Sequence, residues 1–340
     1  MGRFLVAPDS FKGTFDAGAV AGAIAAGVEA GGGEADRCPV ADGGEGTMDV
    51  LLGALGGKRR SARVHDPLRR PIEAEYALLD DGETAVVEMA QASGLSLVAP
   101  EERDAERADT FGTGELIAAA VTAGARRVLV AVGGSATTDG GRGALEALQQ
   151  SEAAFVLCTS SVEQKTRAEV RGDVEVEVLC DVRTVFEDAA RVFAPQKGAD
   201  TAAVARLTQQ LDEFAAELPR DPRGVPMTGC AGGLSGGLWA HGAKLRPGAE
   251  FVLDALDFDA RLARADAVIS GEGRFDSQSL EGKIVGAIAA RCAKAGKPLH
   301  LIVGQDAAPP GLPTGVASID EATSLEAIRG AAARLARPTR

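Results

Sequence analysis

Arg127-Val128-Leu129-Val130-Ala131-Val132-Gly133-Gly134-Ser135-Ala136-Thr137-Thr138-Asp139-Gly140-Gly141 is the stretch on which the reading of this chain turns. Its first part is a short apolar run, the pattern of a strand buried on both faces. The run opens into glycines, hydroxyls and one carboxylate. Glycine lets backbone approach a ligand closely, its N–H groups converge on an anion, and a following helix adds its positive end. Asp42-Gly43-Gly44-Glu45-Gly46-Thr47 and Gly271-Glu272-Gly273-Arg274-Phe275-Asp276 repeat the mixture of glycine and acid. One such loop alone is weak evidence, and for Gly133–Gly141 the alternative is a tight turn before a helix. Three in one chain point to an enzyme that handles phosphate.

The 340 residues exceed one typical core and predict about two domains of ~100–200 residues each. The 43 glycines cluster in the loops above rather than in a low-complexity tract. A net charge of −13 disfavours a nucleic-acid or anionic-membrane partner, but leaves room for a small anionic substrate in a locally positive pocket. No apolar run approaches the ~18 residues that span a bilayer. Asp9 and Lys12 come too early for a signal peptide, so a cytoplasmic location is expected. Cys38, Cys158, Cys180, Cys230 and Cys292 are far apart, and with His65, His241 and His300 they give no zinc spacing. Reduced buried thiols are expected, and any metal should be a hard ion on oxygen ligands. The 8 lysines are outnumbered by 28 arginines, yet Lys12, Lys197 and Lys283 each adjoin a glycine in a polar segment. An ammonium beside open backbone can neutralise phosphate or carboxylate; a solvated loop charge is the plainer alternative.

Strand and helix patterns alternate. Phe4-Leu5-Val6 reads as a strand, Ala17–Val28 as a helix, Arg37–Val40 as a strand and Thr47–Leu55 as a helix. Ile72–Leu79 and Thr84–Met89 read as antiparallel strands around the turn Asp80-Asp81-Gly82. Thr113 is placed as the cap of a helix running to Ala123. Val128–Val132, Val174–Leu179, Ala265–Ser270 and Leu299–Val303 read as strands. Ala202–Leu218, Lys283–Ala295 and Leu325–Leu335 read as helices. The alternation predicts an α/β fold with mostly parallel sheets and ligand sites beyond the carboxyl ends of the strands. Nucleotide fingerprints fail: the Gly-Lys pairs continue to Arg59, Ile284 and Pro298, and neither Gly112-x-Gly114 nor Gly271-x-Gly273 completes a dinucleotide motif.

An ordered set of segments resembles the bacterial type-1 glycerate kinase family. It comprises Ala7–Thr14, Pro39–Thr47, Phe111–Ile117, Gly133–Gly141, Cys180-Asp181-Val182, Pro195–Ala199, Ala231–Leu234, and Gly271–Asp276 with Gly282-Lys283. The resemblance implies two α/β domains, one inserted into the other, with the active site in the interdomain cleft. The expected boundaries are 1–65 with 285–340 for the domain built from both chain ends, and 66–284 for the inserted one. It also implies transfer of the ATP γ-phosphoryl group to a hydroxyl of D-glycerate, with Mg2+, and 2-phosphoglycerate as the favoured product.

On that resemblance, Gly133, Gly134, Ser135, Thr137, Asp139 and Gly140 are expected to hold the ATP phosphates. Lys12, Lys197 and Lys283 are expected to offset charge or hold the glycerate carboxylate. Asp9, Ser10, Glu45, Arg274 and Asp276 join Lys12 as substrate-binding candidates, with a structural ion pair as the alternative for Arg274 and Asp276. Asp42 and Glu45 are candidate magnesium ligands. Asp42 is also a candidate base, with Asp181 its rival and helix capping its plainer role. His65 and Trp239 are assigned to packing. The chain departs from the family pattern at Thr138, where Asn is expected, at Arg69 and Ala194, where Gly is expected, and across 184–188, which gains Glu187 and Asp188. These departures keep open a kinase for a related small hydroxy acid. A non-catalytic metabolite-binding homologue is the reading from another class, and oligomeric state is left open.

Overall fold

The computed structural model of the protein describes residues 2–151, 174–276, 279, 283–307 and 315–337. Cys158 and Gly282 lie outside the described residues. The chain forms two compact units. The first contains the residues up to Asp42, Asp49–Ala54 and the residues from Ala249 onward; the second contains Gly43–Met48 and Leu55–Gly248. The boundaries expected from sequence, at 65/66 and 284/285, differ from these. Ala267–Gly271 pairs with the first strand, and this draws the segment after Ala249 into the unit of the chain ends.

The first unit is built on five parallel strands: β1 (Arg3–Pro8), β2 (Glu34–Arg37), β9 (Ala267–Gly271), β11 (Leu299–Val303) and β13 (Val316–Glu321). Their order is β13-β11-β9-β1-β2. Alternate residues of β1 enter opposite cores. Leu5 and Ala7 join the core that holds Val252, Leu262 and Ile288, whereas Phe4 and Val6 join the one that holds Ile24, Val28 and Ile328. Helices therefore cover both faces, as a parallel sheet requires. Two short strands, β10 (Arg274–Phe275) and β12 (Gln305–Asp306), pair separately.

The second unit holds a six-stranded sheet in the order β3-β4-β5-β6-β7-β8. β3 (Gly57–His65), β4 (Pro71–Leu79) and β5 (Thr84–Glu88) are antiparallel neighbours. β5 then starts a parallel run through β6 (Arg127–Ala131), β7 (Glu175–Cys180) and β8 (Lys244–Pro247). The mixed α/β class with mostly parallel sheets thus agrees with the alternation in the sequence.

Two local expectations change. The strand expected over Arg37–Val40 is Glu34–Arg37, because Pro39 has no N–H to give a ladder. The chain still follows β1, with the Cys38 N–H donating to Val6 O at 2.8 Å and the Val40 N–H to Pro8 O at 3.0 Å. Thr113 does not cap its helix, which begins at Phe111; its hydroxyl donates to Ser93 Oγ at 2.7 Å.

Candidate active site

In the first unit, a cavity of about 400 Å3 opens beyond the carboxyl ends of β1, β9 and β11. Pro8 and Gly271 are register partners, so the residues after them, Asp9 and Glu272, emerge from adjacent strands. The Asp9 N–H donates to Gly271 O at 2.9 Å, and the Gly304 N–H donates to Glu272 O at 3.0 Å. Asp42 joins them because the chain past β2 tracks the end of β1. The same cavity is lined by Ser10, Lys12, Arg274, Asp276 and Lys283. The structure therefore gathers Asp9, Ser10, Lys12, Asp42, Arg274, Asp276 and Lys283, all expected from sequence.

Charge in this cavity is closely balanced. Asp9 and Asp42 are only 5% and 3% exposed. Lys12 Nζ lies 3.8 Å from Asp42 Oδ2 and is itself open to solvent. Burial pushes the Asp9 carboxyl up to about 8, helped by the charge of Asp42 and opposed by the Ser10 N–H and by Lys12. The Ser10 N–H donates to Asp9 Oδ1 at 2.6 Å. Burial also pushes Glu272 up to about 7; a hydrogen bond from Ser279 and the charge of Lys283 oppose this, while Asp42 and Asp276 add to it. Arg274 Nε and Asp276 Oδ2 form a 3.6 Å ion pair in the wall. Lys283 precedes the helix Ile284–Ala295, whose positive end adds to the cationic side of the cavity. Sequence reasoning missed Glu272 as a site residue. Its place between two glycines after a buried strand matched that of the other candidate loops and was the available signal.

In the second unit, the Gly133–Gly141 loop is held from within. Lys197 is 1% exposed, and its Nζ donates to Ser135 Oγ at 2.8 Å and to Thr137 O at 2.5 Å. Burial lowers its pKa to about 7, with Asp139 acting in the opposite direction. Lys197 is thus a strut of the loop rather than a mobile ammonium at its rim. Asp139 is likewise committed: Oδ2 accepts from the Thr110 N–H, the Thr110 hydroxyl and the Gly143 N–H, and Oδ1 from the Gly141 N–H. It accepts a first-turn N–H of the helix Arg142–Gln150 and ties the loop to Thr110. Gly140, with φ +68°, packs where a Cβ would lie 2.8 Å from Phe214. Its N–H donates to Gly232 O at 3.0 Å. At Gly134 a Cβ would lie 1.9 Å from Glu45 Oε1, so the Glu45 carboxylate rests on the loop backbone. The hydroxyls of Thr137 and Thr138 are buried with no hydrogen-bond partner among the described residues.

Asp181 follows β7 in this second unit. Among the described residues no group of three or more His, Cys, Asp or Glu forms a metal-binding cluster. The acids gained at 187 and 188 are engaged internally: the Glu187 carboxylate accepts the Gly224 N–H at 3.0 Å, and Asp188 pairs with Arg191. His65 and Trp239 act in packing, His65 edge-on to Phe111 and Trp239 beneath the Arg220 guanidinium at 3.8 Å.

The sequence profile described as the Glycerate kinase family matches residues 4–332. A glycerate kinase from Halalkalibacterium halodurans is 38% identical over 325 residues, spanning 89% of this chain and 86% of that protein. A glycerate 2-kinase from Escherichia coli K12 is 37% identical over 328 residues, covering 89% and 85% of the two chains. A crystal structure from Salmonella typhimurium LT2, its protein provisionally assigned as glycerate kinase 2, superposes with a TM-score of 0.79 at 34% identity, covering 98% of this chain and 97% of that one.

Proposed function

The chain belongs to the glycerate kinase family, and from that premise we propose that it transfers the γ-phosphoryl group of ATP to a hydroxyl of D-glycerate, forming ADP and 2-phosphoglycerate. The observation that carries this reading is the cavity at the carboxyl ends of β1, β9 and β11. There the buried carboxyl groups of Asp9 and Asp42 and the half-buried one of Glu272 are set among Lys12, Lys283 and Arg274. Such a cavity suits a small hydroxy acid: cations receive its carboxylate, and carboxylates receive its hydroxyl protons.

Asp42 is the proton acceptor in this reading. The glycerate O–H gives its proton to Asp42, the freed oxygen bonds to the γ-phosphorus, and the bond from that phosphorus to the bridging oxygen breaks, leaving its electron pair with ADP. Lys12 and Lys283 balance the carboxylate and the developing charge. Asp181, the rival base, belongs to the second unit, whereas Asp42 lines the cavity itself. The loop from Gly133 to Thr137, with the Ser135 hydroxyl, is assigned to the ATP phosphates, and the unpartnered buried hydroxyl of Thr137 suits that role. Asp139 and Lys197 shape the loop from behind. Magnesium, when bound, would offset phosphate charge, and Glu45 on the backbone of Gly134 is the carboxylate offered to it. The commitment of Glu187 and Asp188 to internal partners favours glycerate over an altered substrate.

Phosphorus NMR of the product from ATP, magnesium and D-glycerate tests the reading. The expected product is 2-phosphoglycerate, with kcat falling ~10²–10⁴-fold in Asp42→Asn and little changed in Asp181→Asn. Absence of glycerate-dependent ADP formation by the wild type would overturn it.

A further inference from the structure

We propose that Glu272 accepts a hydrogen bond from the glycerate hydroxyl that is not phosphorylated, and so sets the preference for a dihydroxy acid over a monohydroxy one. The inference rests on the glycerate kinase reading above and adds a residue to it. Glu272 lines the cavity, yet its Oε1 is shut off from bulk solvent and accepts no hydrogen bond among the described residues. A buried acceptor without a donor is costly, and natural sites that tolerate one commonly have it filled by a ligand.

Several other polar groups of the cavity already have partners. Asp9 Oδ1 takes the Ser10 N–H, Asp42 faces Lys12, and Arg274 pairs with Asp276. Lys12 and Lys283 can donate but not accept. A three-carbon acid bound here presents a carboxylate, one reacting hydroxyl and one spare hydroxyl. Cations meet the first, Asp42 the second, and Glu272 Oε1, a buried acceptor without a donor among the described residues, is assigned to the third. The turn carrying Glu272 is held by backbone, through the pairing of Pro8 with Gly271 and the Gly304 N–H on Glu272 O. A fixed acceptor of this kind rejects an analogue that lacks the hydroxyl, because its oxygen is then left unpaired in the complex.

The test compares D-glycerate with D-lactate, which lacks the hydroxyl on carbon 3, in the wild type, Glu272→Gln and Glu272→Leu. Both kcat/KM and calorimetric affinity are measured, the latter with a non-hydrolysable ATP analogue present. The expected result is a drop of about 30- to 1,000-fold for D-glycerate in the leucine variant, with D-lactate within about threefold of its wild-type value. Glutamine, which keeps an accepting oxygen, should restore most of the preference. An equal fall for both acids would mark Glu272 as merely structural and overturn the proposal, as would an unchanged ratio. If the wild type does not phosphorylate D-glycerate, the kinase reading fails. Calorimetry then still decides the role of Glu272, and equal binding of the two acids, or binding of neither, counts against it.

Discussion

Lys197→Met keeps a long unbranched side chain against Ser135 and Thr137 but removes the titrating amine. In the wild type that amine is fully enclosed, and burial lowers its pKa from 10.5 to about 7. Carried through at about 1.36 kcal/mol per pH unit, the depression sets a ceiling on the order of 5 kcal/mol for the cost of holding the charged form inside the fold. Between pH 7 and 10.5 the unfolded chain carries this proton and the folded chain does not. The unfolded state therefore binds more protons in that window, and wild-type stability rises with pH across it. Methionine has no such dependence, although it forfeits the bonds to Ser135 Oγ and Thr137 O at a roughly pH-independent cost of about 1–3 kcal/mol. Wild-type stability minus that of the methionine variant should therefore be lowest at and below pH 7 and rise steadily towards pH 10. Urea unfolding of both proteins at unit pH steps from 6 to 10 measures the difference, and carbon-13 NMR of ε-labelled lysine follows Lys197 directly. A difference, wild type minus variant, that stays constant over this range, or one that falls as pH rises, would refute the assignment of a buried, depressed amine.

Three further outcomes follow from named contacts. Arg69 has φ +63°, with its guanidinium bonded to Asp109 at 2.6 Å and Glu146 at 2.9 Å and stacked on Phe111. Arg69→Gly and Arg69→Ala lose the same contacts, but only alanine keeps the left-handed strain, so the alanine variant should be less stable by about 1 kcal/mol in thermal unfolding. Gly271→Ala would place a Cβ 1.9 Å from Ile302 O; the forced separation of β9 from β11 should cost about 2 kcal/mol or more, read as a drop in Tm. Asp9 titrates near 8 rather than 3.8, so the folded state holds a proton that the unfolded state releases. Wild-type stability relative to Asp9→Asn should therefore fall as pH rises from about 4 to 8, and urea midpoints that move in parallel would contradict it.

Legibility in the sequence followed how local the deciding physics was. Thr47–Leu55 and Leu299–Val303 have the bounds that periodicity predicts, and the hairpin at Asp80-Asp81-Gly82 falls where its turn residues put it. β3 gave no such signal. It carries Lys58, Arg59, Arg60 and Arg63 on an edge of the sheet, and its place comes from pairing with β4 rather than from alternation of its own. At the site, the residues of the first-unit cavity were readable because strand ends and glycine–acid loops mark them. Lys197 was readable as important but not as buried. Its environment is made by Ser135 and Thr137, some sixty positions away in sequence, and no local pattern reports such a meeting. Gly140 shows the same limit. Its lack of a side chain makes room for Phe214, Phe186 and Leu211 rather than leaving open backbone.

During synthesis β1 and β2 emerge before the other described strands and have only each other to pair with, since the other neighbour of β1 is β9. A lone pair of short strands is barely stable in water. The strands β3 to β8 follow in unbroken order and are complete once Pro247 has been made. The second unit can therefore assemble during translation while Phe4, Leu5 and Val6 remain uncovered, an exposed apolar segment waiting for its partner. A ribosome that stalls between Pro247 and Ala267 would leave a polypeptide with a finished second sheet and a sticky, uncovered β1, which makes that interval of synthesis the one most in need of a chaperone.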